Sequence, residues 1–121
     1  MQITDSDRAA IRFVIEHQLE AFQQEDAFTA FSLATPAIQV TFQTPENFME
    51  MVRSSYEAVY RPRSVLFENL AIVNGALAQP VLVLDPEGNP RRALYQMEKQ
   101  PDGSWRINGC FLVPIEVQPS I

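Results

Sequence analysis

The sequence predicts an α+β fold in which N-terminal helices pack on one face of a four-stranded antiparallel sheet. Three observations predict it. Apolar residues recur at helical spacing in the first half of the chain and in strand-like runs in the second. The first half is punctuated by capping residues, two of them directly before prolines, in Thr35-Pro36 and Thr44-Pro45. The second half is punctuated by turns that hold three of the four glycines, at Asn74-Gly75, Glu87-Gly88 and Asp102-Gly103. Helices followed by strands, without alternation, is the α+β order. A chain of 121 residues that is 46% hydrophobic can bury a core unaided, and it reads as one domain over residues 1–121, with helices across 4–60 and strands across 64–117.

Each element follows from its residues. Thr4, with Asp7 three positions on, reads as a helix start. Ile11, Val14, Ile15, Leu19 and Phe22 then fill one arc at about 100° per residue, with Gln18 in its middle and His17 on its flank. Gln23-Gln24-Glu25-Asp26 interrupts that arc, and Asp26 reads as the N-cap of a short second helix carrying Phe28 and Phe31. In each Thr-Pro pair a hydroxyl precedes a proline whose missing N–H costs nothing at the first helical position. The first pair starts a short helix with Ile38 and Phe42. The second starts a longer helix with Phe48, Met51, Val52, Tyr56 and Val59 on one face, stopped by Pro62. Val65 to Val73 reads as the first strand, and Asn74-Gly75 as a type I′ hairpin turn. Ala76 to Leu84 is the second strand, in which Pro80 marks a sheet edge or a bulge. Arg92 to Gln100 is the third, with Tyr95 and Met97 on one side. Trp105 to Val113 is the last, alternating Trp105, Ile107, Gly109 and Phe111.

Charge and composition narrow the function. A net charge of -6 and a pI near 4.6 argue against binding a phosphate backbone, so no nucleic-acid partner is expected. The acids concentrate in residues 1–60, which hold nine against three bases, and a solvated acidic helical surface is the plain reading. No apolar run approaches the ~18 residues that a spanning helix needs, so no membrane partner is expected. With one cysteine, Cys110, and no basic or apolar leader at Met1–Asp7, a reducing, cytoplasmic location is expected. The strands carry apolar residues on both parities: Leu82 and Leu84 oppose Val81 and Val83, and Leu66 opposes Val65 and Phe67. A sheet with one wet face should alternate more cleanly, so the outer face is expected to be covered, by a homodimer partner in the preferred reading. Irregular pairing that gathers these side chains into one core is the alternative.

The order of residues also has a familiar form. It runs Val14-Ile15, Gln18-Leu19, Ala21-Phe22 and Asp26, then Ala30-Phe31-Ser32 and Ala34-Thr35-Pro36-Ala37-Ile38. Thr44-Pro45-Glu46, Phe48-Met49, Met51-Val52 and Tyr60-Arg61-Pro62-Arg63-Ser64-Val65 follow. Ala93-Leu94-Tyr95, Met97-Glu98 and Gln100 through Cys110 close the chain. This order resembles a bacterial domain-of-unknown-function family over nearly the whole chain. The resemblance implies a nuclear transport factor 2-like (SnoaL-like) cone, in which helices close over a curved sheet. That superfamily includes isomerases, cyclases, dehydratases, binding modules and dimerisation domains, so the fold does not choose among functions.

No catalytic signature stands out: there is no P-loop, no G-x-G-x-x-G, no H-E-x-x-H and no G-x-S-x-G. One histidine and one cysteine do not make a zinc site, and no metal or cofactor is expected. His17, the one imidazole, is a candidate general base but has the flank position of a surface residue. Asp26 resembles a pocket carboxylate of the superfamily, yet an N-cap accounts for it. Gln18, a carboxamide in an apolar stripe, must find partners: it either bonds backbone or lines the cone. Tyr56, Tyr95 and Trp105 offer aromatic walls with polar tips. Arg61 and Arg63 either clamp an anion at the cone mouth or complement a helix C-terminus. Cys110 reads as a buried, inert thiol. The function expected is a non-catalytic ligand-binding or interaction module with a small apolar cavity, its ligand-binding residues Gln18, Tyr56, Tyr95 and Trp105. A cofactor-independent isomerase or dehydratase using Asp26 or His17 as base and Tyr56 or Tyr95 as oxyanion donor is one alternative, and a purely structural dimer is another.

Overall fold

A computed structural model describes residues 2–115. Five helices come first: α1 (Asp5–Gln23), α2 (Ala27–Ser32), α3 (Pro36–Phe42), α4 (Pro45–Ser55) and α5 (Glu57–Tyr60). Five strands follow: β1 (Ser64–Phe67), β2 (Ala71–Val73), β3 (Ala76–Leu84), β4 (Pro90–Lys99) and β5 (Trp105–Pro114). The expectation that the last strand reaches residue 117 falls partly outside the described residues.

The caps are where the sequence places them. Thr4 and Asp7 form a reciprocal capping box. Asp26 accepts from the Thr29 N–H, Thr35 from Ile38 and Thr44 from Asn47, with Pro36 and Pro45 opening α3 and α4. The expected long helix after Pro45 is instead two. It breaks at Tyr56 (φ -130°, ψ 46°), just after Ser54 turns its hydroxyl back on the Glu50 carbonyl at 2.9 Å. The break has a packing reason. Ala58, Val59 and Tyr60 are all buried, and three consecutive residues cannot share one face of a continuous helix.

The sheet is antiparallel, in the order β1-β3-β4-β5, with β2 also paired to β3. The expected first strand is therefore split in two, and both pieces lie along one side of β3. Pro80 explains the split. Phe67 pairs with Val81 and Ala71 with Ala78, so three residues (Glu68, Asn69, Leu70) face only Gln79 and Pro80. The extra residue forms a bulge opposite the proline, which has no N–H to give. The Glu68 N–H still reaches the Pro80 carbonyl at 3.0 Å, and the Gln79 side chain donates to the Glu68 carbonyl at 2.6 Å. β3 is thus an inner strand, and of the two readings of Pro80 the bulge holds. Asn74 (φ 52°) and Gly75 (φ 80°) take the left-handed region that a two-residue hairpin turn demands.

A second bulge lies between β4 and β5, where the register shifts at Gln96/Met97 and Gly109 takes φ 154°. It inverts the expected alternation. Trp105 and Ile107 are buried under the helices, but Phe111 is turned out and 55% exposed, while Cys110 pairs with inward Tyr95. Beside the bulge the segment between α2 and α3 runs parallel to β5. The Ile107 N–H donates to Leu33 O and the Thr35 N–H to Ile107 O, each at 2.9 Å, and the Thr35 hydroxyl donates to Asn108 Oδ1 at 2.7 Å.

The core lies between helices and sheet, with Ile11, Ile15, Phe22 and Val52 against Val81, Val83, Ala93, Tyr95 and Met97. Leu66 (61% exposed), Phe111 and Val113 (40%) leave the far face of the sheet apolar and open.

Trp105 ties the last strand to the first helix. Its Nε1–H donates to Asp7 Oδ1 at 3.2 Å, and the Lys99 ammonium lies 3.4 Å from the same oxygen. These bonds, led by the Thr4 N–H, lower the Asp7 carboxyl from 3.8 to about 2. A depressed carboxylate stabilises the fold above its unfolded-state pKa, and that contribution fades as pH falls from about 4 toward 2. Asp7→Asn should therefore lower the urea midpoint at pH 7, and its gap to wild type should close on acidification. A gap equally wide at pH 2.5 would show that the carboxylate charge is not what Asp7 contributes.

Candidate functional site

Between the helices and the inner face of the sheet lies a cavity of about 580 Å³. Ligand sites commonly fall between about 300 and 1,000 Å³. Each wall has a sequence origin. α1 contributes Phe22 and Gln18 from its buried arc, and α3 and α4 contribute Phe42, Phe48 and Met51. The break at Tyr56 turns that ring into the site. β4 supplies Tyr95, and the β5 bulge supplies Asn108 and Cys110. Ser55 and Phe111, both exposed, mark the rim.

Three of the four expected binding residues meet here: Gln18, Tyr56 and Tyr95. Trp105 does not. It lies buried at the far end of β5, bonded to Asp7 and flanked by Lys99, so its indole N–H is spent on the α1 joint. Gln18 does both things open to it. Its Nε2 donates to the Ala30 carbonyl at 3.1 Å, satisfying a carbonyl near the C-terminal end of α2, and the residue also lines the cavity.

The other candidates lie elsewhere. His17 is exposed, its ring 5.8 Å from that of Phe13. Asp26 is exposed and caps α2. The Thr29 hydroxyl at 2.6 Å, and then the Thr29 N–H, hold its carboxyl below the usual range, the opposite of a raised base. Arg61 complements a helix end: its Nη1 donates to the Phe22 carbonyl at 2.6 Å near the close of α1, and Nη2 lies 3.4 Å from Glu25. Arg63 is exposed by the 85–90 turn. Neither arginine lines the cavity.

Among the described residues no carboxylate, imidazole, ammonium or guanidinium lines the cavity. Its titratable groups are phenols and a thiol, all driven toward their neutral forms. Burial, then the nearby Cys110, raises Tyr56 and holds Tyr95 well above 10. Burial pushes the Cys110 thiol up to about 12. Among the described residues no group of three His, Cys, Asp or Glu is placed to hold a metal ion, and no helix is long and apolar enough to cross a membrane.

Residues 4–119 match the family described as "Domain of unknown function (DUF4864)". The chain belongs to that family. The DUF4864 chain also resembles a crystal structure from Nostoc punctiforme, a protein of unknown function with a cystatin-like fold. The TM-score is 0.62 at 12% identity, covering 98% of each chain, a likeness of fold alone. No curated protein matches. The helix-on-sheet architecture stands on these findings.

Cys110 and Asn108 were not expected in the site, because plain alternation along β5 points them outward. Gly109 inside a strand was the available signal, since such glycines often mark bulges. A thiol at about 12 instead of 9 holds roughly a thousandth of the ordinary thiolate at neutral pH. Cys110 in the folded DUF4864 chain should therefore react with a disulfide reagent at pH 7.5 at least about a hundredfold more slowly than in 6 M guanidinium. Equal rates would place the thiol outside the cavity.

Proposed function

We propose that this protein is a non-catalytic binding module that takes a small apolar molecule into the cavity beneath its helices. One observation carries the reading: a ligand-sized space walled by aromatic and aliphatic side chains, with no group among the described residues poised to exchange protons near neutral pH. General acid–base chemistry needs such a group within reach of the substrate. Asp26 and His17, on which an isomerase or dehydratase would depend, lie away from this space. The curved sheet with a helical roof is consistent with a nuclear transport factor 2-like cone, and the lone, protonated thiol is consistent with a reducing, cytoplasmic setting.

Ser55 gives the test, because it is exposed at the rim and packs in no core. Nile red, a neutral solvatochromic dye, should brighten and shift to the blue on binding the wild-type protein. Ser55→Trp should weaken that binding at least about tenfold without lowering the melting temperature. An absent dye response in the wild type, or full binding by the variant, would count against the cavity as a binding site.

A second reading concerns the outer sheet face. Leu66, Leu82, Leu94 and Val113 share that face, and its charges balance, Arg92 with Glu68 in a 2.7 Å pair and Glu98 opposite Arg106. A face without net charge has no electrostatic preference for an acidic or basic partner and fits a second copy of itself across a two-fold axis. Sedimentation at low micromolar concentration should then show twice 13.7 kDa, and Leu66→Glu should return the monomer. A wild-type monomer under those conditions removes this reading.

A further inference from the structure

The inner face of the sheet changes character beyond the cavity. By strand alternation the inward residues of β4 run Tyr95, Ala93, Arg91, and they pair in that order with Cys110, Leu112 and Pro114 on β5. Tyr95 and Cys110 wall the cavity. Leu112, two residues or about 7 Å further along β5, walls a second space of about 360 Å³ together with Arg91, Asp85 and Glu57. Ser55 lines both spaces, so they adjoin at the rim, with Tyr56 on the cavity side of the helix break and Glu57 on the other. Resting on the binding reading above, we propose that the occupant is an apolar amine, its hydrocarbon body in the cavity and its ammonium head in this recess with Glu57 and Asp85.

The two walls select this class. Among the described residues the cavity is lined by no charged side chain, so it suits a hydrocarbon body. The recess sets two carboxylates, Glu57 and Asp85, against one guanidinium, Arg91, and so carries a net negative charge. Asp85 is 6% exposed. Its Oδ1 accepts from the Glu87 and Asn89 N–H groups at 3.0 and 2.8 Å, and its Oδ2 lies 3.8 Å from Arg91 Nη2, beyond hydrogen-bond length. Desolvation opposes the Asp85 charge, yet the Asn89 and Glu87 donors hold the carboxyl below its ordinary value, so it is ionised at neutral pH. An ammonium brings three donors and no acceptor, which suits carboxylates and the Ser55 hydroxyl oxygen. An anionic head would find Arg91, but with Asp85 already beside that guanidinium and Glu57 in the same recess, repulsion outweighs attraction.

Octylamine, octanol and octanoate share one body and differ in the head, and each is titrated at pH 7 by displacement of Nile red and by calorimetry. Glu57 is exposed at the start of α5, so Glu57→Gln and Glu57→Lys leave the core intact. On the wild type, octylamine should bind about three- to fivefold more tightly than octanol, with octanoate weakest. Glu57→Gln should cut the octylamine advantage about two- to threefold and leave octanol as before. Glu57→Lys makes the recess net positive and should put octanoate ahead of octylamine. Glu46→Gln, the same loss of charge on α4 outside the recess, should change none of these affinities, which separates the recess from the overall acidity of the chain. Octanol binding as tightly as octylamine, octanoate preferred by wild type, an order indifferent to Glu57, or a Glu46→Gln effect as large as that of Glu57→Gln would each overturn the amine assignment and leave apolar binding standing. No binding by any of the three would overturn both.

Discussion

A backbone seam joins helices and sheet where the link between α2 and α3 lies along β5. Two backbone hydrogen bonds bracket Ile107, and the Thr35 hydroxyl holds Asn108. The seam covers the edge of β5 at that point, which would otherwise present unpaired backbone groups. It also coincides with the β5 bulge. One added residue there exchanges the faces of everything that follows: Cys110 turns toward Tyr95 and Phe111 toward solvent. Ala34, Ile107, Asn108 and Cys110 all line the cavity, so the same few residues fix the roof in place and shape the space beneath it.

The acidic character of the chain is used at the periphery. Asp7 completes the α1 capping box by accepting from the Thr4 N–H, and Asp26 caps α2. Asp85 accepts from the N–H groups of Asn89 and Glu87, closing the 85–90 turn, and Asp102 accepts from the Ser104 N–H. Each carboxyl is held below its ordinary value, because these donors favour its ionised form; at Asp85 they outweigh an opposing desolvation. These acids fix local backbone, and the polar groups left for the cavity are neutral ones. Fold and site chemistry are linked through that division: among the described residues the titratable groups in the cavity wall are phenols and a thiol, all driven toward their neutral forms.

Local signals were legible in the sequence and compensating ones were not. Thr4, Asp26 and the two Thr-Pro pairs act through bonds that span three residues, and Asn74-Gly75 through its own dihedral angles, so each can be read without knowing the rest. The break at Tyr56 depends on burying Ala58, Val59 and Tyr60 together, which only the completed core decides. The split of the first strand depends on Pro80, eleven residues on, and the β5 inversion on a partner strand. Gln18, Tyr56 and Tyr95 could be found as polar tips on apolar faces, because that signature belongs to one element at a time. Trp105 shares the signature, but its polar atom was matched to Asp7, 98 residues away.

The size of the cavity bears on what occupies it. A sealed, empty void of 580 Å³ would cost about 14 kcal/mol at ~24 cal/mol per Å³, comparable to the whole stability of a domain this size. The exposed rim at Ser55 and Phe111 resolves the difficulty, because an open space fills with water and escapes most of that penalty. Water there meets mostly carbon and few polar partners, so it is poorly held, and displacing poorly ordered water by an apolar group favours binding. An apolar cavity of this size is therefore compatible with a stable fold because its rim is open, without side chains having to fill it.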